Sequence, residues 1–128
     1  MSLNPTTYDF GNASNFDFAT KVTCENEEAR KMYVLAHGHM LNYNHEEAIA
    51  CFTKCAELDP NCAMAWWGIA YCLSSNYNWA PGLGSGHDPI QQALSLKEGC
   101  SELEKDLIDA LAQRHSAEAR DAADPTVL

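Results

Sequence analysis

Apolar residues recur three and four positions apart along five stretches of the chain, divided by polar corners, and this spacing predicts helices rather than strands. The first runs from about Asn26 to Leu41, with Thr23 placed to cap it. The second opens at Asn44, whose side chain is positioned to cap while Glu47 answers three residues later, and ends near Leu58 before Asp59-Pro60. The third spans about Cys62 to Leu73. Pro81-Gly82-Leu83-Gly84-Ser85-Gly86 cannot form regular structure and delays the fourth helix, which begins at Asp88-Pro89 and reaches Lys97 or Glu98 before Gly99 stops it. Ser101 and Glu104 form a capping box for a fifth helix, Glu102 to about His115, with Leu103, Leu107, Ile108 and Leu111 on one face. A short helical segment is expected near 117–122, and Asp124-Pro125 opens another helix three residues before the end, as a fragment of a longer array would. Residues 1–25, polar and aromatic with scattered Gly and Asn, read as an irregular leader.

The pattern repeats at an offset of 34 residues. Asn42-Tyr43-Asn44 recurs as Asn76-Tyr77-Asn78, Ala29 as Ala63 and Ala36 as Ala70; Leu35 is matched by Ile69, Tyr33 by Trp67 and Met32 by Trp66. Five identities in the sixteen positions from 29 to 44 exceed the one or so that chance gives. Small residues at Ala36, Ala48 and Cys55 let two antiparallel helices approach closely, the bulkier Met32, Leu35 and Phe52 fill the space between them, and Pro60 ends the second helix.

In this arrangement the stretch 29–60, with the register restarting at Ala63, resembles a tetratricopeptide repeat. The resemblance is strong from Ala29 to Asn78, about half the chain, and extends to longer uncharacterised proteins of that type. It implies an all-α fold of antiparallel helix pairs, five to six helices starting a right-handed solenoid. A first repeat would lie at about 29–62, an atypical second at about 63–99 and a further helix at about 102–115. The second unit departs from the family: Ala93 can take the role of Ala48, but Lys97 stands where an aromatic is expected.

In such repeats the first helix of each unit lines the concave groove. Here that helical face carries Tyr33, His37, Met40 and Leu41, then Met64, Trp67 and Tyr71. All three tryptophans fall between 66 and 79, and no basic residue lies between Lys54 and Lys97. The lysine, arginine and asparagine with which family members clamp a peptide carboxylate are missing from these positions. The resemblance therefore implies binding of an apolar or amphipathic protein segment. The alternative is that the leader or later repeats cover this face, and the sequence leaves both open. Uncovered end faces also offer self-association.

Charge narrows the partners further. Eighteen acidic residues against eight basic ones give a formal net charge of −10, a surface that repels phosphate backbones and anionic lipid. Nucleic acid and membrane are not expected, and no apolar run is long enough to span a bilayer. Six cysteines, at 24, 51, 55, 62, 72 and 100, contain no CxxC pair, and the amino terminus has no basic segment followed by an apolar core. Reduced thiols in a cytoplasmic protein are the expectation.

No catalytic set, cofactor or metal site is assigned. His37 and His39 are two apart, so on a helix they point to nearly opposite sides. His45-Glu46 lacks the second histidine of a zinc-protease motif, since position 49 is isoleucine. The glycines of 81–86 lack a Lys-Ser/Thr ending and do not follow a strand. Cys51 and Cys55 share a helical face, and Cys62 and Cys72 can be near them. Because Cys55 fills a small-residue slot, packing is the first reading, with metal or redox sensing as the alternative. A non-catalytic helical domain of a larger enzyme is the third.

Overall fold

The computed structural model describes residues 17–74 and 85–123, with the backbone alone at 17 and 116–123. Among them every regular element is helical: α1 (Asp17–Thr20), α2 (Glu27–Leu41), α3 (His45–Leu58), α4 (Ala63–Leu73), α5 (His87–Leu96), a 3-10 turn (Lys97–Gly99) and α6 (Glu102–Ala123). The Asn76–Asn78 corner, residues 1–16, Pro81–Gly84 and the Asp124-Pro125 helix start lie outside the described residues. No described helix is long and apolar enough to cross a membrane.

The cap of α2 is not Thr23 but Asn26, whose Oδ1 accepts the Ala29 N–H at 3.0 Å, with Glu27 and Glu28 adding negative charge where the helix dipole favours it. The helix ends in a paired 6→1 and 5→2 closure, Asn44 N–H to the His39 carbonyl and Tyr43 N–H to that of Met40, which requires Tyr43 at φ 60. Asn44 precedes α3 as expected, but its side chain makes no capping bond. At α5 the first helical residue is His87, placing Pro89 within the first turn, where its missing N–H costs nothing. The Ser101–Glu104 capping box forms in both directions, and α6 continues unbroken through the segment expected to be separate.

Each helix packs on the next in sequence, and in addition α2 touches α4 and α4 touches α6. Burial on α2 recurs on α4 with the 34-residue stride: Ala29 and Ala63, Tyr33 and Trp67, Ala36 and Ala70 are all buried, while Met32 and Trp66 are both half-buried. Phe52 of α3 is the wedge between them. Its ring meets Tyr33 edge-on at 5.3 Å, and a Cβ on Gly68 would lie 2.4 Å from it. Only glycine leaves that room, so α3 and α4 approach more closely than any other residue there would allow.

The buried face of α6 differs from the expected one. Glu104, Ile108, Leu111 and His115 are buried, whereas Leu103 is exposed. A carboxylate takes the first position of the stripe because it has donors waiting for it on the leader.

Candidate functional site

The seven groove positions do not form one surface. Tyr33, Met40, Met64 and Trp67 are buried, His37 is half-buried, and Leu41 and Tyr71 are exposed. Of the two readings the sequence left open, an exposed groove or a covered face, the first four positions follow the second, covered by the chain's own helices. α6 closes on α4, where the Trp67 indole N–H donates to the Leu107 carbonyl at 3.2 Å. α1 lies on α2, with Phe18 5.9 Å from His37, whose pKa burial lowers from 6.5. Tyr71 stacks on Trp67 at 5.4 Å and carries the aromatic stripe out to solvent.

A second region gathers more chemistry. The six residues between α1 and α2, nominally irregular, form a strap tied on three sides. The Arg30 guanidinium donates to the carbonyls of Thr20, Val22 and Cys24. Glu104 accepts the Thr23 N–H at 2.8 Å and its hydroxyl at 2.6 Å, and the Ser101 N–H at 2.9 Å. Asp59, at the carboxyl end of α3, accepts the Glu25 N–H at 3.0 Å and the Asn61 N–H at 3.1 Å. Two buried carboxylates and one arginine thus replace the helical hydrogen bonds the strap lacks.

Held between those anchors, Cys24 meets Cys55 near the end of α3 and Cys62 at the amino-terminal cap of α4. The three sulfurs lie within 4.8 Å of one another, all buried. Cys55 Sγ donates to Cys62 Sγ at 3.9 Å, and Cys24 Sγ donates to Asp59 Oδ2 at 3.4 Å. The bond from Cys55 lowers the pKa of Cys62 and raises its own; burial pushes Cys24 up to about 12. A cavity of about 300 Å³, lined by Cys24, Glu25, Asp59, Glu98 and Cys100 among others, opens beside the cluster.

Spacing along the chain did not reveal this trio. Cys51 shares a helix with Cys55, and Cys72 lies on α4, which Cys62 precedes as its cap residue, yet neither joins the cluster, although both are buried. The usable signal was Cys55-x6-Cys62 across the Asp59-Pro60 break, since a helix end and the next helix start face each other at a tight corner. Cys24 arrives through the strap, two of whose three anchors, Asp59 and Glu104, are more than thirty residues away. None of the six cysteines is in a disulfide.

No family model, curated protein or solved structure matches the chain.

Proposed function

We propose that the chain is a tetratricopeptide-type helical scaffold that binds an apolar or amphipathic segment of another protein in a reducing, cytoplasmic setting. The observation that carries this reading is the recurrence, 34 residues apart, of one burial pattern on α2 and α4, two helices that also touch each other. Stacked hairpins of this kind bury a core only between neighbours and leave one continuous side of their first helices for a ligand. Of the seven positions only Leu41 and Tyr71 face solvent and His37 is half-buried, so the residues open to a ligand are fewer than all seven. Tyr71 is the anchor: an aromatic ring already held by stacking on Trp67 loses little freedom on binding. The acidic surface favours a segment with basic flanks. No catalytic step is assigned to the fold.

The test is a random peptide library panned against the immobilised chain. Enriched amphipathic sequences should bind the unmodified chain, lose about tenfold or more in affinity on Tyr71→Ala and be indifferent to Lys54→Ala on α3. Absence of enrichment, or ligands that ignore Tyr71→Ala and Leu41→Ala alike, would overturn the reading.

A further inference from the structure

The strap and the corner between α3 and α4 bring together a donor set that packing alone does not need. Small buried cysteines are ordinary core residues, and an alanine at each position would serve a core. What sets this group apart is the company the sulfurs keep. Three of them converge from three separate segments, and a carboxylate oxygen stands 3.4 Å from one. Tetrahedral zinc with sulfur at about 2.3 Å needs its sulfurs about 3.8 Å apart. Cys55 and Cys62 already stand at 3.9 Å, and the remaining separations require a contraction of about 1 Å or less from the 4.8 Å limit.

The surroundings meet the other requirements of a metal site. Cys24 is fixed although it lies outside any helix: its own carbonyl is held by Arg30, the preceding N–H by Glu104 and the following N–H by Asp59. Asp59 is itself oriented by the Glu25 and Asn61 N–H groups, as an outer-shell partner or a fourth ligand would be. The adjoining cavity, with Glu25, Asp59 and Glu98 on its wall, gives a cation an acidic route to the buried sulfurs.

We propose that Cys24, Cys55 and Cys62 bind a thiophilic d10 cation, Zn2+ in the first instance, with an Asp59 oxygen as the fourth ligand. Each thiol releases its proton to solvent as its sulfur–metal bond forms, so loading releases up to three protons. The ion would fasten the leader to both α3 and α4. The proposal stands apart from the partner reading, since none of these residues is among the seven groove positions.

The experiment uses the full chain, chemically reduced and free of oxygen, titrated with Co2+ as the spectroscopic probe and then with Zn2+. One equivalent of Co2+ should produce sulfur-to-cobalt charge-transfer absorption that Zn2+ abolishes, and Zn2+ in excess should raise the thermal midpoint by on the order of 10 °C. Cys62→Ser is the deciding variant, because serine is well suited to the helix-capping position that Cys62 occupies. It should lower the affinity on the order of 100-fold, while Cys72→Ser leaves the titration unchanged. Should Cys62→Ser lose helicity, Cys24→Ala carries the same comparison. No charge-transfer absorption in the reduced chain, or absorption equally strong in Cys62→Ser and Cys24→Ala, overturns the proposal.

Discussion

The α2–α3 pair and the α4–α5 pair each pack closely, yet only the first is built around an aromatic ring. In the first, an aromatic wedge, Phe52, is pressed between the Tyr33 ring and the bare backbone of Gly68. In the second, Lys97, which the sequence register sets against Phe52, lies past the end of α5 in the 3-10 turn and pairs with Asp109 at 2.8 Å. α5 buries Ile90 and Ala93 against the core, and α6 adds polar ties to α4. Trp67 donates to the Leu107 carbonyl, and the Ser74 hydroxyl, committed to the Ala70 carbonyl at 2.7 Å, receives His115 Nε2–H at 2.8 Å. The repeat is thus a property of α2 and α4, and the helix following each is free to vary if another element closes the core. Apolar fit tolerates no missing volume, whereas polar ties tolerate sequence change but demand placement.

The largest expected effect is at the wedge. Phe52→Ala should cost about 3–5 kcal/mol in chemical denaturation, because a fully buried ring leaves a cavity that rigid neighbours cannot fill. Lys97→Ala, at the position the sequence register sets against Phe52, should leave the midpoint nearly unchanged, since its ion pair is with a half-exposed Asp109. Equal losses at the two sites would break the comparison. Next, Ala48→Leu should cost about 1–3 kcal/mol, because added methylenes have no room at a fully buried contact between α3 and its neighbours. A variant as stable as the parent would refute the close approach.

Glu104→Gln sharpens the polar side of the contrast. It keeps one oxygen but sets an amide NH2 against the Thr23 N–H, and a loss of about 1–3 kcal/mol is expected, together with faster proteolytic cleavage near the strap. An unchanged cleavage rate would mean that Arg30 and Asp59 hold the strap unaided.

The smallest effect is with pH. Burial raises Cys72 to about 12 and Cys51 to about 11 from 9.0, so the stability these thiols contribute is intact below pH 9.0 and declines as pH rises toward 11–12. His37 has the opposite sign: its pKa is lowered from 6.5, so its contribution is present above 6.5 and lost as pH falls below it. The thermal midpoint should therefore be level between the two and decline on both sides, and His37→Gln should flatten the onset of the acid limb. A midpoint that kept rising above pH 9 would contradict the thiol burial.

What could be read from the sequence was what repeats locally. Helices α2 to α5, the small residues at Ala36 and Ala48 and the Ser101–Glu104 box all follow from neighbours three and four apart, and the structure places them as expected. What could not be read was long-range pairing of polar groups. Thr23 has the chemistry of a cap and stands just before a helix, but its actual partner is Glu104, 81 residues on. Glu104 interrupts an apolar stripe, which periodicity assigns to Leu103 instead. Groove positions such as Trp67 were legible as one face of a helix; that α6 would close over that face depends on a connection of irregular sequence, which carries no periodic signal. The thiol trio fails for the same reason, since one member reaches the others only through the strap.

The claim on which the comparison rests is that one ring of α3 serves α2 and α4 at once. A double-mutant cycle between Phe52→Leu and Gly68→Ala, followed by urea denaturation, tests it directly. Gly68→Ala alone should lose about 1–3 kcal/mol from crowding the ring. In the Phe52→Leu background much of that loss should vanish, giving a coupling of at least about 0.5–1 kcal/mol. Losses that simply add would place Phe52 and Gly68 in independent environments and contradict the shared wedge.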